Sequence, residues 1–434
     1  MTPVTAGIIG ILLLLLLFLM RMPVAFAMAF IGLVGFAYIG GPESALGLLA
    51  QDIFETFSSY PLSVIPMFIL MGSFAFASGI SRRLYNATYT WVGQFRGGLT
   101  IATVLACSGF AAISGSTAAT AATMGKIALP EMEKYGYDQT LATGTVAAAG
   151  TLGILIPPST ILIVYGILTE ESIGKLFIAG VLPGIILSLL FVIVVAILCH
   201  RNPKLAPLGS PTSWKAKAKA FGGMIEAVAL FVVTIGGLLL GWFSPTQAGA
   251  IGSGGVLLIG LIRRQLSWKA FFEAGKDGLR TSCMVLMIIA GATVFGHFMA
   301  VTTIPFMLAD WVSSLPIPKT AIMSVIIFIY FIGGFFMDSM ALVVVTIPIF
   351  FPVVMSLGFD PIWFGVIIVL VAEMGVITPP VGVNVFVIKG IAPHIPVESI
   401  FKGIFPFLAA MILFTIALVL FPQIATYLPS LISY

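Results

Sequence analysis

Two proline pairs stand inside apolar stretches long enough to cross a bilayer: GTLGILIPPST, from Gly150 to Thr160, and GVITPPVGVN, from Gly375 to Asn384. Proline has no backbone N–H to donate and its ring collides with the preceding turn, so two in succession break a helix. Within hydrocarbon, the carbonyls so freed must be buried in protein, line a cavity or bind something. A chain with two such breaks is confined to folds in which the broken helices are enclosed by others.

That the surroundings are hydrocarbon follows from composition. Of 434 residues, 60% are hydrophobic and 8% charged, the balance of a polytopic membrane protein and not of a soluble globule. Apolar segments cover 5–20, 23–40, 61–80, 99–125, 139–168, 176–199, 224–242, 245–262, 281–300, 321–351, 362–388 and 403–428. At about 20 residues per crossing they leave room for roughly ten to a dozen spans plus shorter re-entrant pieces. The first segment lacks a basic leader and reads as a retained helix. The net charge of +4 is small and lies between apolar segments, which gives orientation and no nucleic-acid footprint. Cys107, Cys199 and Cys283 form no CxxC and have no histidine at ligand spacing, so they suggest neither a metal site nor a disulfide framework.

The only long polar stretch, 200–223, divides the chain nearly in half, and the halves superimpose at a spacing of 222 residues. Pro157-Pro158 falls on Pro379-Pro380, Pro23 on Pro245, Pro130 on Pro352, Gly136 on Gly358, Asp138 on Asp360 and Gly153 on Gly375. A colinear series of this kind marks an internal duplication. Charge sets its sense. Segment 41–55 has three acidic and no basic residues, whereas its counterpart 261–280 has five basic and two acidic; 80–98 has three arginines, whereas 301–320 has one charge of each sign. Equivalent loops change sides under the positive-inside rule, so the repeats are read as inverted, with 80–98, 126–138, 200–223 and 261–280 cytoplasmic and both termini outside.

Two further segments, 99–129 and 324–351, are about 30 residues long and are interrupted by SGSTAAT (Ser114 to Thr120) and GGFFMDS (Gly333 to Ser339). A single helix of that length overshoots the bilayer; two half-helices meeting at a polar tip fit, and Ser116 and Thr117 pair with Asp338 and Ser339 across the duplication. A small-residue packing face is the plainer reading of SGSTAAT alone. The matching second tip and the break that follows each favour re-entrant hairpins. An intramembrane carboxylate such as Asp338 is costly enough to read as functional. Two broken helices at matching places point to a transporter's binding site. Hydroxyls and freed carbonyls suit a hard monovalent cation. Two sodium sites are expected, one at Ser114, Ser116, Thr117, Gly150, Gly153 and Pro157, the other at Gly334, Asp338, Ser339, Gly375, Thr378 and Pro379. An anion between them would meet half-helix N-termini at Ser116, Thr117, Pro158, Ser159, Ser339, Pro380, Val381 and Asn384. No arginine lies in the hairpins or breaks.

Other single residues read as structural. Glu373 is as readily a packed carboxylate as a cation group, His297 a hydrogen-bonded packing residue, and Lys389 a snorkelling side chain. The Trp214–Lys219 run could grip anionic lipid, but a cytoplasmic tether is the plainer reading. An intramembrane enzyme would need a cluster of nucleophile, base or metal ligands, but His200, His297 and His394 are far apart and no HExxH occurs. A channel has no need of two mirrored breaks, and no GxxxxGK[ST] cassette supports an ATP-driven pump.

RMPVAF (Arg21 to Phe26), FAAISGSTAAT (Phe110 to Thr120), GTLGILIPPS (Gly150 to Ser159), IAGVLPG (Ile178 to Gly184), SPTQAGA (Ser244 to Ala250) and EMGVITPPVGVNVFV (Glu373 to Val387), in that order, resemble the large membrane subunit of TRAP (tripartite ATP-independent periplasmic) transporters over the whole chain. The resemblance implies an all-α polytopic protein of the bacterial inner membrane, built from two inverted-topology repeats and working as a sodium-driven elevator. No cofactor is implied beyond the coupling ion. It implies two protein partners, a small four-helix membrane subunit and a periplasmic substrate-binding protein, and a small organic anion as cargo. The first repeat would be 1–199, with scaffold helices 1–98, hairpin and broken helix 99–168 and a return helix 176–199; 200–223 would link it to the second repeat, 224–434, with scaffold helices 224–320, hairpin and broken helix 321–388 and a C-terminal helix 403–428. A self-sufficient sodium–dicarboxylate symporter of similar architecture is the alternative. Many relatives read SGSSPAT where this chain reads SGSTAAT, so the resemblance does not carry the substrate with it; C4-dicarboxylates, sialic acid, keto acids and sulfonates all remain open.

Overall fold

The computed structural model describes residues 2–431, and among these there are helices, turns and no strands. The protein is an all-helical polytopic membrane protein. Seven helices are long and apolar enough to cross a bilayer among the described residues, fewer than the ten to a dozen expected. The difference has a length cause: the helices Pro3–Leu19, Val24–Gly40, Gly98–Ser114, Lys319–Gly333 and Pro361–Ile377 are apolar but short, and three of them are limbs of hairpins or broken helices. Segment 41–55, expected as a loop, is the helix Pro42–Ser58, bent by 56° against Pro61–Ala77. Likewise, the helix Trp268–Thr302 begins well inside the segment 261–280.

One group of helices packs through glycine. Val24–Gly40 lies along Trp268–Thr302 so closely that a Cβ on Gly32 would fall 2.8 Å from the Val294 carbonyl oxygen; in a bilayer, where lipid is as apolar as leucine, such close approach is what binds helices. Val64–Ala77 joins the same group, packing against Pro245–Ile262. The outer face of Pro3–Leu19 leaves Leu12, Leu13, Leu15, Leu16 and Leu19 exposed, a surface for lipid chains.

Both hairpins are present. The first runs Gly98–Ser114 and Thr117–Lys134, the second Lys319–Gly333 and Ser339–Ser356. Their second limbs extend past the sequence-based ends, and Lys126, expected in a loop, is two turns inside Thr117–Lys134. Each is followed by a broken helix: Gln139–Gly150, a short turn Leu152–Leu155, and Thr160–Thr169 in the first half; Pro361–Ile377 and Val383–Ile391 in the second. Both Pro-Pro bonds are cis. Asp138 and Asp360 each cap the helix that follows, accepting from Leu141 N–H at 2.9 Å and Trp363 N–H at 2.8 Å, as N-terminal side-chain acceptors do.

The four segments grouped by charge lie together at one end. Glu226 accepts from Arg83 at 2.6 Å and Arg263 at 2.7 Å, and Arg83 also reaches Gln265. The Asp138 N–H donates to the Leu205 carbonyl at 2.9 Å. The tether 200–223 begins on the last turn of Ile173–Arg201, makes a short turn at Pro203–Leu205 and is helical again from Trp214, whose ring lies under the Lys217 ammonium at 5.2 Å.

Candidate functional site

Each tip is built by a helix that stops and restarts. Ser114 ends the first limb, Gly115 turns with φ 60°, and Ser116 is extended before Thr117 opens the second limb. Only glycine fits at 115: beyond its left-handed φ, a Cβ would lie 2.7 Å from the Pro158 carbonyl oxygen. The first tip thus presses on the first break, and Thr160 Oγ1 donates to the Gly115 carbonyl at 3.0 Å. Gly153 packs the same way, 2.6 Å from a would-be Cβ to the Ser116 carbonyl oxygen. The Ser114 and Thr120 hydroxyls bond each other at 2.7 Å.

At the second tip Asp338 caps Ser339–Ser356, accepting from Met340 N–H at 3.1 Å. Here the tip-to-break contact is glycine on glycine: a Cβ on Gly334 would fall 2.9 Å from the Gly375 Cα.

The two tips are joined by one carboxylate. Thr117 Oγ1 donates to Glu373 Oε2 and Ser339 Oγ to Glu373 Oε1, both at 2.8 Å. Thr117 and Ser339 are the first residues of the second limbs, so Glu373 lies where two helix N-termini, each with unpaired N–H groups and a partial positive charge, converge. It is 1% exposed. The sequence offered Glu373 and left its role open; its duplicate, Thr151, bonds only its own helix, at Ala148. One carboxylate therefore serves both halves.

A second link crosses the halves. Asn384, just after the second break, is fully buried and donates to the Ala147 carbonyl of the first broken helix at 3.2 Å. Its Oδ1 has no hydrogen-bond partner. A buried amide oxygen without a donor is costly and calls for a ligand.

These groups line a cavity of about 650 Å³. One wall is a face of Thr117–Lys134, from Thr117 through Thr123 to Lys126; the facing wall is Val64–Ala77 and Trp268–Thr302, with Ser73, Phe76, Glu273, Asp277 and Thr281; Asp338, Glu373 and Asn384 line it too. Of the residues proposed from sequence, Ser114, Ser116, Thr117, Asp338 and Asn384 line the cavity. Gly150, Gly153, Pro157, Pro158 and Ser159 are buried behind the first tip, with Ser159 capping Thr160–Thr169 through Leu162 N–H at 3.2 Å. Ser339, Gly334, Gly375 and Thr378 are buried in the second half, and the Thr378 hydroxyl donates to the Met374 carbonyl at 2.6 Å. Pro379, Pro380 and Val381 are exposed and do not line the cavity. The Lys389 ammonium donates to the Pro393 and Ile395 carbonyls at 2.8 and 2.7 Å, just past the end of its own helix. His297 bonds Asp52 at 3.3 Å. Among cavity groups, Lys126, Glu273 and Asp277 were not singled out from sequence; their i, i+3, i+4 spacing with Ala122, Thr123, Ala270, Ala274 and Thr281 marks a shared face, but no helical pattern names the wall it faces.

A family model described as "Tripartite ATP-independent periplasmic transporter, DctM component" matches residues 11–424. The C4-dicarboxylate TRAP transporter large permease protein DctM of Pseudomonas aeruginosa is 39% identical over 396 residues, 90% of this chain and 90% of that protein. The isethionate TRAP transporter permease protein DctMQ of Oleidesulfovibrio alaskensis is 34% identical over 419 residues, 92% of this chain and 62% of that one. Among solved structures, the Alcanivorax borkumensis YdaH transporter has a similar fold, with a TM-score of 0.65 at 15% identity, over 88% of this chain and 89% of that chain. By the length and continuity of these matches, the chain belongs to the DctM component family of tripartite ATP-independent periplasmic transporters, and is a transporter and not an enzyme.

Proposed function

We propose that this chain is the large, ion-driven membrane subunit that imports a small organic anion, a carboxylate or sulfonate, across the bacterial inner membrane, taking it from a periplasmic binding protein and working beside a small membrane subunit. Relatives named for C4-dicarboxylate and isethionate support that substrate range, and the fused name DctMQ supports the second membrane component.

The observation that carries sodium coupling is the charge of the cavity wall. Glu273, Asp277, Asp338 and Glu373 face it against a single ammonium, Lys126. An anion entering a wall dominated by carboxylates is repelled unless cations enter with it. The unpaired Asn384 Oδ1, the Ser116 and Thr117 hydroxyls and the carbonyls of the first break provide hard oxygen ligands for one sodium; Asp338, Ser339 and the Gly375–Thr378 backbone provide them for another. The first-turn N–H groups at Thr117 and Ser339 would hold the anion between them.

Two features support inverted repeats moving as an elevator. The equivalent caps Asp138 and Asp360 lie at different ends: Asp138 bonds Leu205 beside the basic segments, whereas Pro361–Ile377 starts beside Leu418, whose carbonyl accepts from Trp363 Nε1 at 2.9 Å. The cavity also runs between the hairpins and the glycine-packed helices, which is where one body would slide on another. In this reading 1–98 and 224–320 are scaffold, 99–168 and 321–388 move, 200–223 links the repeats, and the termini are periplasmic.

The test is uptake into proteoliposomes holding both membrane subunits, with binding protein outside. Uptake driven by an inward sodium gradient and absent without binding protein is expected; one charge crossing 100 mV contributes about 2.3 kcal/mol, so two sodium ions can concentrate an anion steeply. Uptake indifferent to sodium removal overturns the coupling, and uptake without binding protein overturns the three-component reading.

A further inference from the structure

We infer that Lys126 anchors the end of the substrate that points away from the hairpin tips, so that the cavity takes an acid with a second anionic group; this rests on the transport reading above.

Lys126 is the one cationic side chain lining the cavity among the described residues, and no carboxylate lies within ion-pairing distance of it. Its ammonium instead stands 5.9 Å from the ring centre of Phe76. That contact fixes its height in the cavity. Gly72 packs on the first tip, where a Cβ would fall 2.9 Å from the Ser114 carbonyl oxygen. Phe76 is four residues further along the same helix, a rise of about 6 Å. The ammonium therefore sits roughly one helical turn from the tip. Helical side chains lean toward their N-terminus, which for Lys126 is the direction of Thr117. An acid held by one carboxylate at the Thr117 and Ser339 helix starts would thus reach Lys126 with a second. Across the cavity, Glu273 and Asp277 repel that second group from the scaffold wall and leave Lys126 as its partner.

The test compares succinate with its half-amide, succinamate, in proteoliposomes of the complete complex supplied with binding protein; isethionate serves as a monoanionic control. A charge-assisted contact gives about tenfold in preference. We expect the wild type to favour succinate over succinamate, Lys126→Met to lose that preference about tenfold, and Lys126→Arg to keep most of it, with the sodium dependence unchanged. If Lys126→Met fails to assemble, Lys126→Cys in a Cys283→Ser background is used; aminoethyl methanethiosulfonate, which restores an ammonium, should restore the preference, and the neutral methyl reagent should not. Cys107 and Cys199 are buried and do not compete. Succinate uptake with an unchanged preference in Lys126→Met, or in unmodified Lys126→Cys, overturns this inference alone, and so does uptake of isethionate without succinate. Uptake of none of the three acids by the wild type overturns this inference and leaves the transport reading standing, since that reading is tested by sodium and binding-protein dependence and not by these acids.

Discussion

Asp338 shows how a single residue can carry two roles that one substitution confuses. Its carboxylate caps Ser339–Ser356 and faces the cavity. Asp338→Ala removes cap and charge together, at about 1 kcal/mol for the cap. Asp338→Asn keeps the cap and removes only the charge, so it should leave the thermal midpoint of the purified complex close to wild type while weakening the sodium dependence of uptake; equal loss of both would assign Asp338 to structure alone. Glu373 invites the same separation. Glu373→Ala strands the Thr117 and Ser339 hydroxyls, each costing about 1–3 kcal/mol, and should lower the midpoint. Glu373→Gln preserves the bridge, because a hydroxyl can accept as well as donate. It should hold the midpoint and cut sodium-driven uptake at least tenfold, a drop absent if the carboxylate only packs.

At the level of elements, the close seating of tip on break makes the glycines the sensitive points. A methyl at Gly153 meets the Ser116 carbonyl and the Thr120 hydroxyl, so Gly153→Ala should cost about 1–3 kcal/mol through overpacking, seen as a lower midpoint with uptake lost in proportion. The helix Ile80–Val92, which leads into the first hairpin, is pinned by Arg83 to Glu226, with Arg263 on the other carboxylate oxygen. Glu226→Gln leaves two guanidinium groups without their counter-charge, one of them largely buried. About 2 kcal/mol of stability should go, measured by denaturation of the complex, with the succinate to succinamate preference untouched because the cluster does not line the cavity.

For the whole molecule, the cavity opens at the end where the basic segments gather, since Glu273 and Asp277 are exposed there beside Lys126. A cysteine at Thr281, exposed in the same wall, should in a Cys283→Ser background react with a membrane-impermeant maleimide in inside-out vesicles and not in intact spheroplasts. The opposite pattern would reverse the orientation drawn from charge.

Hydropathy, proline pairs and a spacing of 222 residues carried the helical class, the two hairpins and the two breaks, because each is a local property of the backbone: where a helix cannot continue, the chain itself records it. The charge pattern likewise grouped four segments that are found touching. What no local rule could supply was which wall faces which. Glu373 bonding both tips, Asn384 reaching back to Ala147, and Lys126 turning from a supposed loop into the cavity all depend on how helices far apart in sequence pack. A carboxylate, an amide and an ammonium read the same in any apolar segment until the tertiary structure gives them neighbours. The two breaks, equal in sequence, are unequal in place: one is buried behind its tip and the other exposed, since each proline pair fixes its own backbone and only packing decides what covers it.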